Sequence, residues 1–172
     1  MKDFAHQLRL DAIRDGDRLD LVADEAERRA VRERLGLADL ARLEAHAVLT
    51  KDGDRIRVTG RLQAALTQSC VITGEPISAM VDEPFEVVFV PEPPVSRSDE
   101  EIELGQDECD TVFHDGAAID LGAAVADTLA LNLDPYPRSA GADAALKEAG
   151  IMNEEEASPF AVLAQLKRDG GE

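Results

Sequence analysis

The sequence has no tryptophan and a single tyrosine, Tyr136, and aromatics are only 3% of its residues. A surface that stacks nucleic-acid bases needs several exposed rings, so the composition argues against base stacking as a mode of recognition. Cysteine is as scarce. Cys70 and Cys109 are too few and too far apart for a disulfide framework, and a reducing cytosol is the expected compartment. No stretch approaches the roughly 18 consecutive apolar residues of a membrane span. The N-terminus, Met1-Lys2-Asp3-Phe4, has no apolar run behind its lysine, so the chain is expected to be neither inserted nor secreted. Basic residues are also in short supply: 18 Lys and Arg against 36 Asp and Glu give a net charge of -18. Such a charge repels RNA and anionic membrane at long range and favours a basic partner.

What is present suits one folded unit with tails spanning residues 1–172. A hydrophobic content of 44% closes a modest core built from Leu, Val, Ile, Ala and five Phe. The charge is uneven. Residues 1–91 hold 13 bases and 17 acids, a balance of -4, whereas 92–172 hold 5 and 19, a balance of -14. The first half can therefore present a local basic face, and the second half is an acidic body.

Residues 18–21 read as a short strand. Asp24 is placed to cap a helix over 25–35, acidic early and arginine-rich late, which Gly36 ends. From Leu43 the period becomes two, through Ala45, Ala47 and Leu49, and Asp52-Gly53 marks a hairpin. In the next strand Ile56, Val58, Leu62, Ala64 and Leu66 share one parity while Arg55, Arg57, Arg61 and Gln63 take the other. Alternation resumes after Pro76 with Ile77, Ala79, Val81, Phe85, Val87 and Phe89. Three strands in meander order predict an antiparallel sheet or partial barrel, and the fold class is α+β with a few flanking helices. The sheet-centred core spans about 40–133.

Residues 92–110 are expected to form a mobile acidic loop, carrying Asp99, Glu100, Glu101, Glu103, Asp107, Glu108 and Asp110. A second hairpin is predicted from 111–113 and 117–119 around His114-Asp115-Gly116. A helix capped by Asp120 follows through Leu131, then a linker or weak helix over 139–157 and an amphipathic helix over about 159–168.

No catalytic or metal motif emerges. Cys70, Cys109, His6, His46 and His114 are not at ligand spacing, and Cys70 followed by Thr73 is a C-x-x-C frame without its second thiol. Cys70 is expected to be a small buried residue at a strand end. No cofactor and no metal is predicted, and the protein is read as no enzyme, because no nucleophile stands beside an oriented base. Arg42, Arg55, Arg57 and Arg61 lie on strands that should pair. They form either a solvated face that pairs with nearby acids or a surface for phosphates. The acidic loop is likewise either a solubilising linker or a grip for a basic partner.

The segments "VTGRLQAALTQSCVITGEPISAMVDEPFEVVFVP", "LALNLDPYPRSAGA" and "SPFAVLAQLK" occur in this order. Together they resemble the YceD family, the large ribosomal RNA subunit accumulation proteins, over residues 50–167. Many relatives carry a second Cys where Thr73 stands here and more Cys near the Pro-rich run, so no metal site carries over. The resemblance implies a bacterial cytosolic factor needed for normal levels of large-subunit (23S) ribosomal RNA, with a sheet-centred core and no enzymatic activity. It directs attention to Cys70, Glu75, Pro76, Asp134, Tyr136 and Arg138 as partner-binding candidates beside Arg55, Arg57 and Arg61. Three mechanisms follow. In the first the sheet binds ribosomal RNA or a pre-ribosomal particle, in the second acidic segments hold a basic ribosomal protein, and in the third a hydrolase processes precursor RNA.

Overall fold

Alternating apolar residues set most of the architecture of this chain, whose computed structural model describes residues 4–92 and 111–151. Among the described residues seven strands and three helices follow in the order β1 (Gln7–Arg9), β2 (Arg18–Val22), α1 (Glu25–Leu35), β3 (Asp39–Asp52), β4 (Arg55–Ser69), β5 (Pro76–Pro91), β6 (Thr111–His114), β7 (Ala118–Asp120), α2 (Leu121–Leu131) and α3 (Ala142–Glu148). The α+β class is as predicted. Five strands form one sheet in the order β2-β3-β4-β5-β6, which remains open instead of closing into a barrel, and β1 pairs with β7 in a second, two-stranded sheet.

Two compact units divide these elements. The larger comprises residues 4–68 and 78–135, and the smaller 69–77 and 136–151. In the larger unit the core-facing parity of β3 and β4 is the expected one: Leu43, Ala45, Leu49, Ile56, Val58 and Leu62 are all at most 1% exposed. Phe89, Ile119, Leu121, Val125 and Leu129 complete the core. Each large side chain so buried contributes about 1.5–3 kcal/mol, and the sheet register therefore cannot slip by one residue without turning this set to water. A bulge between Leu40 and Arg42 precedes the regular stretch of β3.

Helix α1 has the expected bounds for a local reason. The Asp24 carboxylate accepts from Glu27 N–H at 2.9 Å, and the Glu27 carboxylate accepts from Asp24 N–H at 2.8 Å, a reciprocal capping box. Gly36, at φ 64°, supplies the left-handed stop. Asp120 caps α2 by accepting from Ala123 N–H at 3.0 Å, and the same oxygen accepts from His6 N–H.

Two expectations need correction. Residues 111–113 and 117–119 do not form a hairpin: β6 joins β5 in parallel, Val88 opposite Thr111, whereas β7 pairs with β1, Ile119 opposite Leu8. Two longer-range pairings outcompete the local turn: β6 adds backbone bonds to β5, whose Val87, Val88 and Phe89 are buried, and β7, whose Ile119 is buried, gives β1 a partner. The sheet is thus mixed and not purely antiparallel. Of the two alternatives for residues 139–157, a linker or a weak helix, Ala142–Glu148 takes the helical one, as α3. The acidic loop beyond residue 92 and the helix over 159–168 lie outside the described residues. No helix among the described residues is long and apolar enough to cross a membrane.

Candidate functional site

Strand alternation gives the five-stranded sheet a second face, opposite the core, on which Arg18, Asp20, Arg42, His46, Arg55, Arg57, Arg61, Asp82 and Glu86 are exposed. Register lines these side chains up across the sheet. Asp20 stands opposite His46, and His46 opposite Arg61. The Asp20 Oδ1 to His46 Nδ1 distance is 2.6 Å, and Arg61 Nε donates to Asp82 Oδ1 on β5 at 2.5 Å. One row thus crosses four strands as carboxylate, imidazole, guanidinium, carboxylate. Arg57 pairs with Glu86, also on β5, and Arg42 Nη2 donates to Glu44 Oε2 at 2.6 Å and Gln63 Oε1 at 3.3 Å.

Of the two alternatives for these arginines, the geometry is that of a solvated face that pairs with nearby acids. Arg55, Arg57 and Arg61 share it as the parity predicted, while Asp82 and Glu86 neutralise the last two. Sequence reasoning missed these acids although the signal was there: positions 82 and 86 have the parity opposite to the buried Val81, Phe85, Val87 and Phe89. The hydrogen bond from Arg61 holds the Asp82 carboxyl below the usual range, and that from Arg42 does the same for Glu44. All four partners of the two β4–β5 pairs remain about half exposed, at 48–56%, so the pairs are solvated and open to exchange with another ion. Val22, Val48 and Met80 add exposed apolar surface to this face, Met80 at 84%.

The smaller unit gathers a second set of candidates. Cys70 ends the β4 strand region and is buried and free. Gly74, at φ 73°, folds the chain back so that its N–H donates to the Cys70 carbonyl and Cys70 N–H donates to the Glu75 carbonyl. The thiol Sγ accepts from Thr73 N–H at 3.4 Å and from Ser139 N–H at 3.3 Å. Burial pushes the thiol up, but these donors outweigh it and bring Cys70 down to about 6. Glu75 lies low because Ser139 and Thr73 hydrogen-bond its carboxylate. Val71 N–H donates to the Pro137 carbonyl at 2.9 Å, joining the two segments of the unit. The roles of Thr73 and Ser139 were not anticipated: they reach the thiol through backbone N–H groups as well as side chains, and the Thr73 hydroxyl also donates to Glu75 at 3.1 Å.

The remaining candidates are separate. Pro76 is exposed at the start of β5. In the larger unit the Asp134 carbonyl accepts from Gln68 Nε2 at 2.8 Å. In the smaller one Tyr136 is 74% exposed and Arg138 donates to Asp143 at 2.8 Å. The acidic residues from Asp99 to Asp110 lie outside the described residues.

An open cleft of about 480 Å³ lies beside His114, Asp115, Ile119 and Asp127. His114 is buried at its rim with both ring nitrogens occupied: Nδ1 accepts from Gly116 N–H at 3.1 Å, which leaves Nε2 to donate to the Asp54 carbonyl at 2.8 Å. It is thereby a structural pin, held in one tautomer. Among the described residues no three His, Cys, Asp or Glu side chains stand where they could hold a metal ion.

With this geometry in place, the chain can be compared with known proteins. The family model described as "Large ribosomal RNA subunit accumulation protein YceD" matches residues 58–167, more than half of the chain. The matched region contains Arg61, Asp82 and Glu86 of the sheet face and the whole Cys70 turn. No curated protein and no solved structure matches the chain.

Proposed function

Because the chain belongs to the YceD family, whose description assigns a role in accumulation of large ribosomal subunit RNA, we propose that it fulfils this role by docking on a pre-ribosomal particle through the outward sheet face. The observation that carries the proposal is the row of half-exposed guanidinium–carboxylate pairs, Arg61 with Asp82 and Arg57 with Glu86. Such a face offers donors to phosphate and acceptors to Lys and Arg. A pre-ribosomal particle presents both, RNA backbone and basic protein, within one surface. Naked RNA presents only phosphate and is repelled at long range by a chain of charge -18. At physiological salt the Debye length is about 8 Å, so contact is decided by the charges in the face itself. Docking of this kind needs no reactive group.

A second reading is favoured by one specific observation. The net charge of -14 over residues 92–172 suits an adaptor that holds a basic ribosomal protein away from RNA. One experiment separates the two. The tagged full-length protein is recovered from cells with its bound RNA and proteins, before and after nuclease and a salt wash. Under the docking reading, precursor particles are recovered, Arg57→Ala with Arg61→Ala loses them, and neutralising Asp99 to Asp110 does not. A single basic protein that survives nuclease, insensitive to the arginine changes, replaces the docking reading with the adaptor.

A further inference from the structure

Helix α1 carries four arginines within seven residues, Arg28, Arg29, Arg32 and Arg34, and lies outside the region that the family model matches. Arg34 turns to α2, where Nη2 donates to Asp127 at 2.5 Å. The other three line an open cleft of about 230 Å³ between α1 and the start of β3, together with Glu25, Asp39 and the chain at Leu40 and Ala41. Helical spacing stacks Arg28 and Arg32 one turn apart and sets Arg29 beside them.

These guanidinium groups are held differently from those of the sheet. On β3 and β4, Arg42, Arg57 and Arg61 each meet a carboxylate of another residue at hydrogen-bond distance. In the cleft, Arg28 Nη1 donates to the Ala23 carbonyl at 2.8 Å. A neutral acceptor orients the planar fork without cancelling its charge. The carboxylate beside Arg32 is its chain neighbour Glu33, at 3.8 Å, beyond hydrogen-bond range. Among the described residues, Arg29 is the one of the three that meets a carboxylate at hydrogen-bond distance, Glu25 at 3.1 Å, in a pair more than half exposed on both sides. The residues lining the cleft carry three positive charges against two negative ones, Glu25 and Asp39, with Glu33 beside Arg32 just outside the lining, so basic side chains outnumber acidic ones within it in a chain of net -18.

We propose that this cleft seats a backbone phosphate of RNA. A phosphate accepts paired N–H bonds from planar guanidinium forks and keeps its charge at all physiological pH, which suits the partly exposed Arg28 and Arg32. The exposed Arg29–Glu25 pair exchanges one oxyanion for another at little cost. The inference rests on the docking reading and deepens it, by adding a phosphate contact on a second element beside the sheet face.

The test uses full-length protein in cells, with a photo-crosslinking amino acid at Ala41, in the cleft wall, or at Met80, on the sheet face. Position 41 is expected to crosslink to RNA of the precursor particle. Arg29→Glu with Arg32→Glu should lower that yield about ten-fold or more, the scale of losing charge-assisted hydrogen bonds. Arg29→Lys with Arg32→Lys, which keeps the charge but loses the planar fork, should lower it by less than the charge reversal does, and unchanged crosslinking from position 80 shows that the variants fold and dock. If position 41 crosslinks to protein or to nothing while position 80 still reports the particle, the phosphate seat is wrong and the docking reading stands. If neither position reaches the particle, both fall.

Discussion

Arg61 on β4 and Asp82 on β5 meet with Nε 2.5 Å from Oδ1, on the face of the sheet that turns away from the core. The same arginine stands opposite His46, which is 2.6 Å from Asp20, so the pair ends a charged row that crosses four strands. Its consequence is a sheet face of mixed sign.

Reversing one member of this pair tests that face. Arg61→Asp sets two carboxylates against each other and removes a donor, and co-sedimentation with precursor particles is expected to fall several-fold, with a small loss of thermal stability. Adding Asp82→Arg restores the pair with its direction exchanged, and both readouts should recover. Undiminished co-sedimentation of the single reversal would remove the face from the mechanism.

Gly60 lies on the inward side of β4 beneath the ring of Phe85. A Cβ there would stand 2.2 Å from the His46 carbonyl oxygen and 2.9 Å from the ring. The oxygen belongs to backbone and cannot swing aside, so Gly60→Ala is expected to destabilise the fold by roughly 1–3 kcal/mol, the usual scale of overpacking. Urea unfolding reads this as a lower midpoint at unchanged slope. An unchanged midpoint would place β4 and β3 further apart than described here.

The Cys70 thiol titrates at about 6 in the folded protein and at 9.0 in the absence of structure. A depressed folded value stabilises the fold at high pH: the contribution is fully present above pH 9.0 and is lost as the pH falls through about 6. Cys70→Ala should therefore lower the melting temperature more at pH 9 than at pH 5. Thiolate absorbance in the native protein should rise around pH 6. An equal melting difference at both pH values would mean that Thr73 N–H and Ser139 N–H do not hold a thiolate.

Asp24 and Glu27 close the N-terminus of α1 reciprocally. Asp24→Ala leaves an N–H unpaired and is expected to cost about 1 kcal/mol, in the range of 0.5–2 for caps of this kind. Asp24→Asn should recover most of it, because an amide oxygen accepts the same bond. Loss of stability equal for Asn and Ala would assign the effect to charge at the helix end and not to the cap.

Much of the larger unit was legible in residue order because its signals are local. Asp24 and Gly36 delimit α1, Asp52-Gly53 turns β3 into β4, and the parity of Ile56, Val58 and Leu62 sorts core from solvent, since a strand has only two faces and water selects between them. β1 was not legible. Gln7–Arg9 is short and polar and exists because Ala118–Asp120, distant in sequence, offers it a partner. The same holds for β6, which a local turn signal assigned to a hairpin and a parallel pairing with Val88–Pro91 claimed instead.

The sequence by itself determined the family, the α+β class and the side of each central strand on which the arginines stand, because these depend on composition and on period. Only the tertiary structure decided what those arginines meet. Asp82 and Glu86 reach Arg61 and Arg57 through the register of β4 on β5, and Ser139 reaches Cys70 across 69 positions of chain. Charge and hydrogen bonding act through space over a few ångströms, and chain order carries no distance between residues that folding brings together.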